Sequence, residues 1–172
     1  MSHLLEVRGK RPQLTETCVV LPTAVLTGDV VAGEQCTFWF HSVVRGDVNT
    51  IRLGDYVNVQ DGAVLHCTYQ GASLNIGSRV SIGHRALVHG CTIDDDVLIG
   101  MGATVMDHAH VQSRCLIAAG ALVTEGTVCE SGWIYAGLPA KPLKRLSDEA
   151  IRGEVRRIAK AYPMYAGWYG DG

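Results

Sequence analysis

The stretch IDDDVLIGMGATVMDHAHVQSRCLIAAGALV, from Ile93 to Val123, decides the fold because an aliphatic residue returns at every sixth position. The same spacing recurs in three earlier blocks of the chain. A unit of six residues holds one short strand and one corner, and three units close a triangular coil. The pattern therefore predicts a parallel β-helix, a prism filled by the repeated residues. A β-sandwich is the alternative, but sandwich turns fall about every 8–12 residues. The repeated residues are Val20, Leu26, Ala32, Phe38, Val44, Leu53, Val59, Leu65, Ile76, Ile82, Val88, Ile93, Ile99, Val105, Val111, Ile117 and Val123.

The composition indicates a single globular domain. The 172 residues are 47% hydrophobic, and 15 basic against 17 acidic side chains give a net charge of −2 without a block of like charge. This balance argues against nucleic acid and anionic membranes as partners. Neither a signal-peptide core nor a membrane-spanning run is evident, so a cytoplasmic location is expected. Six scattered cysteines without a CxxC pair argue against a disulfide framework and a thiolate zinc site.

A C-terminal α-helix is predicted after the repeats. Segment 137–142, GLPAKP, is expected to break regular structure. Ser147 and the two acidic residues after it are typical of a helix N-terminus, and apolar residues then recur at helical spacing up to Pro163. We therefore expect a β-helix over residues 1–146, a helix over 147–163 packed along the prism, and a tail over 164–172.

The repeat places two histidines in one column. Arg45, His66 and His89 each follow a repeated residue of the same face, so they stack on consecutive coils. Adjacent coils lie about 4.8 Å apart, which is close enough for His66 and His89 to bind one metal ion. Asp61 and His84 follow repeated residues of the next face, around a corner of the prism. His84 is therefore not expected to complete the site within its own subunit.

A neighbouring prism is predicted to supply the third ligand. Side-by-side packing brings the neighbour's His84 to the His66–His89 pair, and a cyclic homotrimer repeats this contact at each interface. Three neutral imidazoles leave a tetrahedral metal one open position for water, whose pKa zinc lowers to about 7. The pattern thus predicts a metal site between subunits that generates hydroxide at neutral pH.

Four segments contain these residues: VRGD at 44–47, NVQDG at 58–62 followed by His66, IGH at 82–84, and VHGC at 88–91. In this order and spacing they resemble the gamma-class carbonic anhydrases and their bacterial relatives, over about residues 19–146. The resemblance implies a mainly β, left-handed β-helix of hexapeptide repeats, which assembles as a homotrimer. It also implies Zn²⁺, with Fe²⁺ or Co²⁺ as alternatives, bound by His66, His84 and His89 between subunits.

The resemblance implies roles for other residues too. Arg45 and Asp47 are similar to an ion pair that joins subunits. Gln60 is similar to the residue that orients the metal-bound hydroxide, and Tyr162 to a tyrosine near the family's site. Asp61 is expected to act beside the metal as an ionised hydrogen-bond acceptor.

Two positions differ from the archaeal prototype of that family. Val48 stands where the prototype has a glutamate, and segment 67–73 lacks its proton-shuttling glutamate. Hydration of CO₂ must export a proton, so these differences predict slow turnover. The leading hypothesis is reversible hydration of CO₂ to bicarbonate. The alternatives are hydrolysis of an acyl-coenzyme A thioester, hexapeptide acyl transfer, and a structural or metal-binding trimer without turnover.

Overall fold

Short parallel strands wind into a three-faced prism. The computed structural model describes residues 3–169. Its strands are β1 (His3–Leu5), β2 (Gln13–Leu14), β3 (Val19–Val20), β4 (Val25–Ala32), β5 (Thr37–Phe38), β6 (Val43–Leu53), β7 (Asn58–Val59), β8 (Val64–His66), β9 (Leu74–Ile76), β10 (Ser81–Ile82), β11 (Leu87–His89), β12 (Thr92–Ile93), β13 (Leu98–Ile99), β14 (Thr104–Val105), β15 (His110–Val111), β16 (Leu116–Ile117), β17 (Leu122–Val123), β18 (Val128–Cys129), β19 (Trp133–Gly137) and β20 (Ala140–Arg145).

The strands form two hydrogen-bonded sheets. The long strands β4 and β6 turn a corner of the prism, so two faces share one sheet of order β17-β14-β11-β8-β6-β9-β12-β15-β18, with β4 beside β6 and β1 and β2 beside β4. The other face is the sheet β20-β19-β16-β13-β10-β7-β5-β3. Coils pair residue for residue, as Leu65 does with Val88 and Val88 with Val105. The predicted parallel β-helix is confirmed.

One stack of aliphatic side chains fills the interior. Each repeated residue from Leu26 to Val123 is buried, and Val20 is half-buried. Full burial of one large aliphatic side chain stabilises the fold by about 1.5–3 kcal/mol. Because the buried residues recur in register, they also fix the positions of the side chains that point outward.

Small residues at some corners let the coils stack closely. A Cβ atom at Gly100 would lie 2.5 Å from the backbone nitrogen of Ala119, and one at Gly83 would lie 2.7 Å from the carbonyl oxygen of Ile99. Real Cβ atoms do not approach backbone this closely, so a side chain at either position would force adjacent coils apart.

The C-terminal helix extends beyond its predicted end. The Oγ atom of Ser147 accepts a hydrogen bond from the Ala150 amide at 3.1 Å, which caps the helix as expected. The helix consists of α1 (Asp148–Ala150), a π-helical segment (Ile151–Arg156) and α2 (Arg157–Gly167). The predicted end at Pro163 is wrong, and the first four residues of the predicted tail, 164–167, are helical.

Packing against the prism explains how the helix continues past Pro163. Ala166 is buried in a cluster with Leu21 and Trp39, which holds the last turn in place. Further toward the N-terminus, Arg156 forms an ion pair with the buried Asp96 of the prism at 2.7 Å. Tertiary contacts therefore outweigh the helix-breaking tendency of proline.

The segment between prism and helix is more regular than predicted. Strand β20 pairs antiparallel with β19, so segment 137–142 reverses the chain and then continues as a strand. This strand covers the edge of β19, which would otherwise expose unpaired backbone groups. Residues 1–2 and the predicted tail's residues 170–172 lie outside the described part of the chain. Among the helices of residues 3–169, none is long and apolar enough to cross a bilayer.

Candidate metal centre

His66 and His89 face each other on adjacent coils. They are register partners at the ends of β8 and β11, as the repeat predicted. His66 Nδ1 lies 3.0 Å from His89 Nε2. Two nitrogen ligands at the usual zinc–nitrogen distance lie about 3.3–3.4 Å apart on a tetrahedral ion. The separation of the two histidines is therefore close to that required by one shared metal ion.

A carboxylate fixes the proton on each of these rings. His66 Nε2 lies 3.1 Å from Asp47 Oδ1, and His89 Nδ1 is hydrogen-bonded to Asp107 Oδ1. Burial raises the pKa of both carboxyl groups, but hydrogen bonds outweigh this effect and hold each pKa below its ordinary value. The donors to Asp47 are Arg45 and His66. The donors to Asp107 are His89 and Thr68. An ionised carboxylate can only accept hydrogen bonds, so each ring donates from the nitrogen that faces its carboxylate, Nε2 of His66 and Nδ1 of His89.

The remaining nitrogens, Nδ1 of His66 and Nε2 of His89, consequently present lone pairs to each other. Such a pair of acceptors is stabilised when a cation lies between them. Burial, opposed by the hydrogen bond to Asp47 and reinforced by the positive charge of Arg45, lowers the pKa of His66. His66 is therefore neutral at pH 7, which is the form that binds metals. The donor set fits a zinc ion.

Arg45 and Asp47 form an ion pair within one chain. Arg45 Nη1 lies 2.7 Å from Asp47 Oδ2, and Arg45 Nη2 lies 3.4 Å from His66 Nδ1. The Arg45 side chain is 45% exposed and the Asp47 side chain is 23% exposed. The intrachain pair holds the carboxylate that orients His66, and the predicted role between subunits stays a prediction.

Asp107 is a part of the site that the sequence analysis missed. It lies on the coil that follows His89, and its second oxygen accepts a hydrogen bond from the Thr68 hydroxyl. A sequence signal for it exists, because Asp107 follows the repeated residue Val105, whose register partner on the preceding coil is Val88, next to His89. Asp107 lies two positions after its repeated residue, whereas the residues of the predicted histidine column lie one position after theirs, so Asp107 falls outside that column.

His84 belongs to a second cluster on another face. Its Nδ1 lies 2.9 Å from Asp61 Oδ2, so it too is paired with a carboxylate. Within the described residues of one chain, no three His, Cys, Asp or Glu side chains come together as a metal-binding group. The structure therefore brings His66 and His89 together and leaves His84 apart, with Asp61.

Gln60 is fixed in place beside His84. Its Nε2 donates to Asn58 Oδ1 at 2.9 Å, and Asn58 Nδ2 donates to Ser81 Oγ at 2.8 Å, in a buried chain. This arrangement leaves the Gln60 carbonyl oxygen available as an acceptor. The ring of Tyr162 packs edge-on against Trp39, with 5.1 Å between centroids. Burial raises the pKa of Tyr162 to about 12, so its hydroxyl keeps its proton.

An apolar groove of about 440 Å³ extends from this cluster between the prism and the C-terminal helix. Gln60, His84 and Tyr162 lie along it, and the rest of its lining is mostly aliphatic and glycine. The lining includes Leu98, Gly100, Met101, Leu116, Ala119 and Ile158. The second cluster thus combines hydrogen-bonding groups with space for an apolar group.

The coils, the C-terminal helix and the repeat define the chain as a left-handed hexapeptide-repeat β-helix protein. A hexapeptide transferase family protein from Anaplasma phagocytophilum superimposes with a TM-score of 0.90 at 34% identity, covering 97% of this chain and 98% of that one. No protein-family model matches the chain.

Comparison with curated proteins is more specific. The chain is 35% identical to a carbonic anhydrase of Geobacillus kaustophilus, over 94% of this chain and 88% of that protein. It is 39% identical to the mitochondrial gamma carbonic anhydrase 2 of Arabidopsis thaliana, over 86% of this chain. It spans only 55% of the length of that plant relative. The chain belongs to the gamma carbonic anhydrase family.

Proposed function

We propose that this chain is a zinc-dependent enzyme that reversibly hydrates CO₂ to bicarbonate at sites between the subunits of a homotrimer. The facing lone pairs of His66 and His89 carry the proposal, because two carboxylate-oriented imidazoles 3.0 Å apart are built to share a cation. A neighbouring subunit supplies His84 as the third ligand. The carbonic anhydrases among the relatives support the reaction.

The other residues of the two clusters bind and orient the reactants. When bound, zinc lowers the pKa of a coordinated water toward neutrality. The Gln60 carbonyl oxygen would accept a hydrogen bond from a reacting water, since the Gln60 amide is already held by Asn58. The protonated Tyr162 hydroxyl donates to a substrate oxygen. The apolar surface of the groove holds CO₂, which is itself apolar.

Metal analysis combined with an activity assay tests this function. We expect purified trimer to contain about one zinc per chain and to hydrate CO₂ slowly, since segment 67–73 offers no carboxylate to export the proton. His89→Ala should lose both metal and activity. A stable wild-type trimer that binds no metal under zinc-replete conditions would contradict the proposal and would favour a structural role.

Hydrolysis of an acyl thioester is the second candidate, and the groove favours it. CO₂ occupies a small part of about 440 Å³, whereas an acyl chain could lie along the aliphatic lining beside His84. The exposed Ala119 allows a direct test, because Ala119→Trp fills the groove and Ala119→Ser leaves it open. If thioesters are substrates, only the tryptophan variant should lose their hydrolysis, and it should keep more of its CO₂ hydration, because CO₂ needs only a small part of the groove. If Ala119→Trp keeps both activities, the groove takes part in neither reaction.

A further inference from the structure

Asp107 joins two parts of the metal centre that come from different coils. One carboxylate oxygen is hydrogen-bonded to His89 Nδ1, and the other accepts from the Thr68 hydroxyl. Thr68 lies two residues after His66, so the same carboxylate is connected to both members of the histidine pair. Its side chain is only 20% exposed, which favours strong hydrogen bonds because water competes poorly for them.

The backbone beside His89 is shaped to admit this carboxylate. A Cβ atom at Gly90 would lie 2.5 Å from Asp107 Oδ1 and 2.7 Å from the Cβ of Ala72. Gly90 also has a φ of +50°, in the region that favours glycine. A larger residue at position 90 would push the carboxylate away from His89. This close approach is a second observation, independent of the hydrogen bonds, that the chain is built around the Asp107–His89 contact.

The loop after His66 is tied to the same carboxylate. Asn49 Nδ2 donates to the carbonyl oxygens of Thr68, at 3.3 Å, and Gly71, at 3.1 Å. The Thr68 hydroxyl then connects this loop to Asp107. A displacement of the loop would therefore be transmitted to the ring of His89.

We propose that Asp107 is the positioning residue of the metal centre. It fixes the tautomer and the orientation of His89, and through Thr68 it couples this ring to the loop at residues 67–73. The inference rests on the proposed metal site. Its structural part, the tautomer of His89, concerns the metal-free protein and is measured separately.

The chain contains a matched control for Asp107. His110 Nε2 lies 3.0 Å from Asp94 Oδ1, which is a histidine–aspartate pair of the same chemistry outside the metal column. Asp107→Asn and Asp94→Asn therefore remove the same kind of charge from the same kind of pair. Thr68→Val keeps the hydrogen bond between Asp107 and His89 and removes only the hydrogen bond that connects Asp107 to the loop.

The first readout is zinc affinity, measured by competition with a chromophoric chelator on trimers shown to be folded. Loss of an outer hydrogen-bond partner typically weakens metal binding by about 10–100-fold, so we expect this loss for Asp107→Asn and a change of less than about twofold for Asp94→Asn. Thr68→Val should have an intermediate effect. Equal affinity in the Asp107→Asn variant and wild type, or equal weakening in both aspartate variants, would overturn the proposal.

The second readout is the tautomer of His89 in metal-free protein labelled with ¹⁵N-histidine. Wild type should carry the proton on Nδ1. The side-chain amide introduced by Asp107→Asn can also donate, so protonation of His89 on Nε2 should become populated and occupy the lone pair that faces His66. An unchanged tautomer would overturn the positioning role. A wild-type protein with the expected tautomer but no zinc affinity would refute the proposed function and leave the positioning role intact.

Discussion

Complementation between two defective variants tests whether His84 acts on a neighbouring subunit. His84→Ala keeps the pair formed by His66 and His89, whereas His89→Ala breaks the pair and keeps His84. The pair lies at the ends of β8 and β11, and His84 follows β10 in the other sheet. One chain therefore cannot bring its own three histidines together without unwinding a coil.

The arrangement predicts the size of the recovery. In a mixed trimer, a site is complete wherever a His84→Ala chain supplies the pair and the adjacent His89→Ala chain supplies His84. Random assembly of equal amounts meets this condition at about one quarter of all interfaces in a cyclic trimer. Tight zinc binding and CO₂ hydration should both return to about 25% of the wild-type level, because each needs all three ligands.

Differently tagged variants are co-expressed, mixed trimers are isolated on both tags, and zinc is measured in the presence of a chelator that removes metal from two-histidine sites. Isolation on both tags excludes unmixed trimers, so the isolated material should show about one third of the wild-type zinc. Each variant co-expressed with a tagged copy of itself is the control. No recovery in verified mixed trimers would refute the contribution of His84 across the interface, and tight zinc in either control would show that the third ligand is a different group.

Three further variants test the catalytic auxiliary, the coil stacking and the helix anchor. Gln60→Ala should lower CO₂ hydration about 10–100-fold at unchanged zinc content, because one orienting hydrogen bond of about 1.5–3 kcal/mol is lost; loss of zinc would contradict the assigned role. Gly100→Ala should lower the free energy of unfolding by about 3 kcal/mol, whereas Gly102→Ala, with φ +65° but open space around its Cβ, should lower it by only about 1 kcal/mol. Urea unfolding measures both, and equal losses would contradict the stacking argument. Asp96→Asn should destabilise the protein by about 2 kcal/mol at pH 7, since burial raises the pKa of Asp96 but hydrogen bonds from Arg156 and Arg79 outweigh it and lower the pKa. This stabilisation is present above the unfolded-state pKa of about 3.9 and is lost as the pH falls through the lower folded-state pKa, so the stability difference from wild type should vanish in acid.

The hexapeptide repeat made the histidine column predictable. Buried side chains of adjacent coils pair one to one, so the residue after Leu65 and the residue after Val88 had to meet. The five extra residues between Leu65 and Ile76 did not disturb this register, because residues 68–71 are exposed on the outside of the prism and β9 resumes the pairing. The separate position of His84 followed from the same rule.

Other features depended on contacts that the repeat does not encode. The helix passes Pro163 because Ala166 packs on Leu21 and Trp39, which are distant in the sequence. Strand β20 forms because the edge of β19 is available for pairing. The intrachain pairing of Arg45 with Asp47 depends on side-chain conformations, which a spacing pattern does not specify.

The position of the proposed ligands on two faces makes metal binding depend on subunit assembly. A folded single chain contains a two-histidine half-site and a one-histidine half-site, and its stacked interior is too rigid to bring them together. In the proposed homotrimer, metal affinity and subunit association are linked, because zinc would bind the complete three-histidine site more tightly than either half-site. By mass action, zinc at about 100 times its dissociation constant would stabilise each interface site by about 2.7 kcal/mol. The carboxylates hydrogen-bonded to His66 and His89 increase this effect, since they fix both rings in the orientation for metal binding before the neighbouring subunit associates. Zinc supply would therefore control the amount of trimer as well as the occupancy of its sites.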